Sequence, residues 1–222
     1  MSHIPDGTVQ DIVCDQIDGR LVVARHFLDR ITKSVPKEGS FEHFVLEANV
    51  DSFLFFSSSV IDMIKVEINN RFGLFDRENV FYIHGIRKKL DSSGVQGQVK
   101  DAIVKYFSVP SSATVANPEC IATDQGYFDA TDSSLWQMQS LRNKAAHGKI
   151  LNISDHKISL DFTIRDASVR KNPKYTVTVE NPSEYFLQIF NNLASFVRQI
   201  RLLNPQKAQS SHHTERLDFR LE

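Results

Sequence analysis

The stretch from Ser40 to Gly73 limits the chain's options more than any other. Phe41, Phe44, Val45, Phe53, Leu54, Phe55, Phe56, Val60, Ile61, Ile64 and Ile68 lie in one run without proline or glycine. Their spacing predicts a long helix over 41–72, with Ser40 able to cap its start and Gly73 to end it. Around Phe53–Phe56 the apolar residues cover more than one side, so this helix needs neighbours on several faces. A polar strip survives, with Glu47, Asp51, Ser58, Asp62, Lys65 and Asn69 at steps of three, four and seven. The plain reading of that strip is a solvated face.

The flanking segments supply the neighbours. Val13, Ile17, Leu21, Ala24, Leu28 and Ile31 carry a helical period from Thr8 to about Lys33, before Pro36 and Gly39 punctuate the chain. A third helix is expected over 77–90, with Val80, Ile83, Ile86 and Leu90 inward. A break follows over 91–97, then a short fourth helix to Phe107. The weakly periodic segment 110–132 is long for a loop in a compact domain. It leads into a helix from about Ser134, in which Leu135, Met138, Leu141 and Ala145 share one side. The period then changes to two at Ile158, Leu160 and Phe162, and again at Tyr175, Val177 and Val179, which predicts a β-hairpin within about 150–180. Asn181-Pro182-Ser183-Glu184 is a clean helix start, and Phe186 to Ile200 form an apolar stripe running to about Leu203. From Pro205 the sequence is polar and reads as a disordered tail over 205–222. The expectation is a mainly α chain: one domain over 1–204, a bundle of five or six helices with a small inserted β-hairpin.

Composition narrows the chemistry. With 222 residues and a net charge of −1, a general electrostatic grip on nucleic acid is not expected, and any such contact needs a local basic patch. Cys14 and Cys120 stand alone, without metal-finger spacing. Asp124, Asp129 and Asp132 lack the spacing of a calcium loop. No metal and no cofactor are therefore expected. A reduced, cytoplasmic setting is the default. No secretory signal is read at the N-terminus, and no apolar run is read as spanning a membrane.

The residues with chemistry gather at Leu141–Gly148, Leu-Arg-Asn-Lys-Ala-Ala-His-Gly. Gly148 is placed to stop the helix, which leaves Arg142, Asn143 and His147 on its last turn and a half. Asn143 and His147 are four apart and share a face. Arg142 diverges from His147 by roughly 140° on an ideal helix, so it must reach round. A helix C-terminus favours an imidazolium, which suits a proton donor or a holder of phosphate. The arginine fork fits two phosphate oxygens at once. Together they are what metal-free cleavage of an RNA phosphodiester requires: one group for protons and one for transition-state charge. The bland alternative is an ordinary helix C-terminus, since Arg20 with His26 and Arg77 with His84 match the loose spacing too.

Arg142-Asn143-Lys144-Ala145-Ala146-His147-Gly148 resembles the Arg-x4–6-His signature of the HEPN superfamily, in its Arg-Asn-x-x-x-His form. The specific match covers only these residues. The resemblance implies a helical bundle and a metal-independent endoribonuclease of the toxin–antitoxin or phage-defence kind, acting as a homodimer with the two motifs facing across a two-fold axis. RNA would be the substrate, and an antitoxin or regulatory protein a partner. Arg142, Asn143 and His147 would then be catalytic. Lys144, Lys149, Arg170, Lys171 and Lys174 would contact the RNA backbone, although the last three also read as a charged hairpin turn. Glu47 or Asp51 would orient Arg142 from behind, as supporting carboxylates do. The family also contains members without catalysis, so a nucleotide- or RNA-binding or dimerisation module is the alternative. The inserted hairpin departs from the plainest HEPN bundle.

Overall fold

The computed structural model describes residues 16–75, 83–107, 130–146, 151–163 and 174–203, with side chains throughout except at 84, 130–134, 161–163 and 174–177. These residues form α1 (Gln16–Leu28), α2 (Phe41–Phe72), α3 (Ile83–Lys89), α4 (Gly94–Phe107), α5 (Ala130–Ala145), β1 (Asn152–Ser154), β2 (Lys157–Thr163), β3 (Lys174–Val179) and α6 (Pro182–Leu202). The class is mainly α, as the periodicity implies. The start of the first helix at Thr8, the loop 110–129 and the tail 205–222 lie outside the described residues.

α2 is closed off at both ends. The Ser40 side chain accepts the His43 N–H at 3.2 Å, and His43 Nδ1 accepts the Gly39 N–H at 3.0 Å. Two backbone donors are thereby satisfied reciprocally, with histidine where glutamate usually serves. At the other end Gly73 takes the left-handed conformation (φ 57°, ψ 40°) and donates to the Asn69 carbonyl. Between these caps α1, α3, α5 and α6 all lean on α2. Phe53 of α2 meets Phe186 of α6 edge-on at 5.6 Å, and Phe196 of α6 takes Phe107 and Tyr106 of α4 at 5.1 and 5.7 Å. All of these rings are buried.

Several expectations need correction. Ser58, Lys65 and Asn69 are buried, so the polar strip of α2 is not a solvated face. Lys65 keeps its charge partnered through Asp62, one turn back, and Asn69 accepts the Phe75 N–H at 3.0 Å. α2 is also long and apolar enough to cross a membrane by length and composition, although half of its most apolar window lies inside the bundle. α1 ends at Leu28, not Lys33, because the Arg30 and Ile31 N–H groups bond three residues back, to Phe27 and Leu28, and tighten the chain out of the helix. The break over 91–97 shrinks, since α4 already begins at Gly94. Gly97 lies inside that helix, at a position where a Cβ would stand 2.6 Å from the Ser92 carbonyl oxygen, so a larger residue does not fit. α5 begins at Ala130, earlier than Ser134; its packed later turns override the weak helix preference of Thr131-Asp132-Ser133-Ser134.

The predicted hairpin is a three-stranded antiparallel sheet in the order β1-β2-β3. Ser154 pairs with Lys157 across a two-residue loop, Asp155-His156, and both loop residues have positive φ (50° and 60°). That is the type I′ pattern, whose twist matches paired strands. Ile153, Ile158, Leu160 and Val179 are buried while Asn152, Ser154 and Lys157 are exposed, so one face is apolar. β2 packs on α5.

α5 is thus held by α2, α4, α6 and the sheet. Leu135, Met138 and Leu141 are fully buried in that wedge. So is Gln137, whose Oε1 accepts the Tyr185 hydroxyl at 2.8 Å from the first turn of α6. Burial pushes the Tyr185 phenol upward, so it stays a donor. α6 itself starts as its sequence specifies: Asn181 accepts the Glu184 N–H at 3.3 Å and Pro182 takes the first position.

Two outcomes test this packing. Tyr185→Phe strands the Gln137 carbonyl in the interior and should destabilise the fold by about 1–3 kcal/mol in urea titrations. A neutral effect would show that Gln137 finds another donor. Replacing Asp155-His156 by Asn-Gly relieves two strained residues and should stabilise by about 1 kcal/mol; loss of stability would contradict the turn assignment.

Candidate functional site

The site begins where α5 runs out of packing. Leu141 is fully buried, the next residue is half-buried and the one after that is exposed. Arg142 and Asn143 therefore emerge from the core together. The Ala146 N–H bonds the Arg142 carbonyl at 3.2 Å, so the backbone stays helical through the motif's first half. Arg142 Nη1 donates to Asn143 Oδ1 at 3.2 Å. Neighbours in sequence point about 100° apart on a helix, so the long arginine side chain curls round to make this contact. It holds the planar fork at the C-terminal end of α5, where backbone carbonyls favour a cation.

Lys144 is half-buried and makes a contact of its own. His147 and Lys149 lie outside the described residues, as do Arg170 and Lys171. Lys174 opens β3, but its side chain is outside them too. The Arg142–Asn143 pair is therefore the part of the motif that the structure brings together.

Glu47 and Asp51 stand one turn apart on α2, which packs against α5. Among the described residues neither carboxylate forms an ion pair with Arg142. Burial, and then the charge of Glu47, raise the Asp51 carboxyl above its ordinary value of 3.8; an arginine held against it would lower that value instead. Asp51 Oδ1 is buried without a hydrogen-bond partner. The neighbour that Asp51 feels is a like charge, so no supporting contact to Arg142 is seen.

Two polar positions that periodicity passed over also matter here. Gln137 sits on the motif helix itself and anchors it to α6 through Tyr185. His43 is buried at the start of α2, with Nε2 unpartnered. The signal for His43 was its place three residues after Ser40; Gln137 gave none, because a single polar residue beside an apolar stripe reads as solvated. Among the described residues no group of histidine, cysteine and carboxylate side chains is arranged to hold a metal. No family model, no curated protein and no solved structure matches this chain.

The state of Asp51 gives a pH prediction. Its folded-state pKa is raised, so the folded protein binds this proton more tightly than the unfolded chain. Asp51 therefore favours folding most at low pH, and that contribution is lost as pH rises from about 4 through the raised value. Asp51→Asn should be more stable than wild type at pH 7, with the difference closing towards pH 3. Thermal unfolding at both pH values checks this; a less stable variant at pH 7 would mean that the carboxylate has a cationic partner.

Proposed function

We propose that this chain is a metal-independent endoribonuclease of the HEPN type. The observation that carries the reading is the Arg142–Asn143 contact at the emerging end of α5, within the sequence pattern that ends in His147-Gly148. The RNA 2′-hydroxyl attacks the adjacent phosphorus and the bond to the 5′-oxygen breaks. The products are a 2′,3′-cyclic phosphate and a 5′-hydroxyl. His147 takes the proton from the nucleophile or gives one to the leaving oxygen. Arg142 neutralises charge on the phosphorane-like transition state, and Asn143 fixes the guanidinium by accepting from it. One such pair per chain is sparse for both proton transfers, and a homodimer supplies the second. The HEPN resemblance points to a toxin or defence effector, restrained by an antitoxin or regulatory partner.

The second reading is a non-catalytic HEPN-like module that binds RNA or nucleotide phosphate or joins subunits. The net charge of −1 favours it, because it limits the cationic density available to RNA.

Labelled RNA incubated in EDTA separates the two. Wild type should release cyclic-phosphate ends. Arg142→Ala should lower the rate by about 10²–10³, and His147→Ala by about 10²–10⁴, with both variants folded. Undiminished cleavage by both would refute the assignment. Binding of RNA without cleavage by wild type would select the module.

A further inference from the structure

Positive charge is concentrated where α3 meets α4. Over 83–107, Arg87, Lys88, Lys89, Lys100 and Lys105 stand against Asp91 and Asp101, a positive surplus in a chain whose net charge is −1. Arg87-Lys88-Lys89 is the one run of three cations in the sequence. It forms the last turn of α3, where backbone carbonyls favour positive charge. Ile83, Ile86 and Leu90 are buried, while Lys88 and Lys89 are exposed and Arg87 is half-buried. Lys100 comes to the same corner from α4. Its Nζ donates to Ser92 Oγ at 2.9 Å and to the Leu90 carbonyl at 3.5 Å. Lys89 Nζ stands 6.0 Å from the centre of the Phe75 ring. All of these partners are neutral. Among the described residues the ion pairs lie elsewhere, and no carboxylate pairs with Arg87, Lys88, Lys89 or Lys100. Asp91 Oδ1 is taken up by the Ser93 N–H at 3.2 Å.

We infer that this corner of α3 and α4 is a contact surface for the phosphate backbone of RNA, apart from the Arg142–Asn143 site. The inference takes its partner, RNA, from the function proposed above. A chain of this net charge holds a polyanion only through a local basic patch, and here uncancelled cations crowd one corner. The surface also selects the kind of partner. The apolar side chains of α3 are spent on the core, so Arg87 to Ser93 offer solvent charges and hydroxyls and no large apolar group. A protein partner needs an apolar centre to its interface. Phosphate oxygens need only cations, hydroxyls and N–H groups. α4 packs on α5, the helix that carries Arg142, so the surface and the motif are borne by neighbouring helices. Contacts of this kind hold the strand without reading its sequence. They bind substrate and transition state equally, which lowers KM and leaves kcat unchanged.

Binding of a labelled 2′-O-methyl RNA by the full chain tests this, because that strand keeps its phosphates but offers no 2′-hydroxyl to attack. Lys88→Ala and Lys89→Ala should each lower the affinity about fivefold at about 0.1 M salt and flatten the slope of log K against log salt by about 0.7, with helicity unchanged by circular dichroism. Lys88→Arg keeps the charge and should bind as wild type does. Lys33→Ala, exposed in the link between α1 and α2, should change neither reading. On cleavable RNA in EDTA the two alanine variants should raise KM and leave kcat unchanged, unlike Arg142→Ala. Wild-type affinity and salt slope in both alanine variants overturn the inference and leave the ribonuclease reading intact. Binding that depends on these lysines, without cleavage by wild type, upholds the inference and fails the ribonuclease reading. A wild type that does not bind the RNA overturns the inference, as does one that uses these lysines only on phosphatidylcholine–phosphatidylglycerol vesicles.

Discussion

The fold depends on one constraint: a helix of 32 residues whose apolar side chains face in too many directions for solvent to cover. Val50, Phe53, Leu54, Val60 and Ile61 have no measurable exposure. Burying a large aliphatic or aromatic side chain is worth about 1.5–3 kcal/mol, so leaving even two faces of α2 open would forfeit a large part of an ordinary domain's stability. α1, α5 and α6 exist in this arrangement to cover those faces. α4 then covers α5 and α6, and the sheet covers the far side of α5.

Apolar cover alone does not fix how the helices slide along one another. The polar contacts between elements do. Arg201 of α6 meets Asp18 of α1 at 2.7 Å, and Ser183 donates to the Ile31 carbonyl at 2.6 Å at the opposite end of the same helix pair. Arg20 donates to Ser59 at 3.0 Å, which ties α1 to α2, and Arg71 reaches the Leu203 carbonyl, which ties α2 to the end of α6. Gln137 with Tyr185 does the same for α5. Each is individually modest, but a buried donor or acceptor left unmatched by a shift of one turn costs about 1–3 kcal/mol. The register that presents Arg142 at the end of α5 is therefore specified by polar pairs some distance from it.

What could be read in the sequence follows from this division. Elements whose signal is local were legible. α2 ran from its serine cap to its glycine, α6 began on Asn181-Pro182, and the strands kept their period of two. Features decided by packing were not. The buried strip of Ser58, Lys65 and Asn69 has the pattern of a solvated face, and only the neighbours of α2 make it internal. Gly97 looks like a break, but it is a point where backbone comes too close for a Cβ. The Asp155-His156 turn lacks the glycine that usually marks a type I′ loop. At the candidate site the residue types of Arg142 and Asn143 were legible, and their contact follows from adjacency at a helix end. The surroundings of Asp51 were not, because a carboxylate's field depends on which side chains fold onto it.

The same logic bears on how a near-neutral chain would hold RNA. Phosphate contacts need positive charge that is desolvated little and not already neutralised. Lys65 is spent on Asp62, Arg25 on Asp29, Lys157 on Glu180 and Arg201 on Asp18. Arg142 is held differently, by a neutral amide oxygen that orients the guanidinium without cancelling its charge. Orientation without neutralisation is what a group needs if its charge is to be used on a ligand.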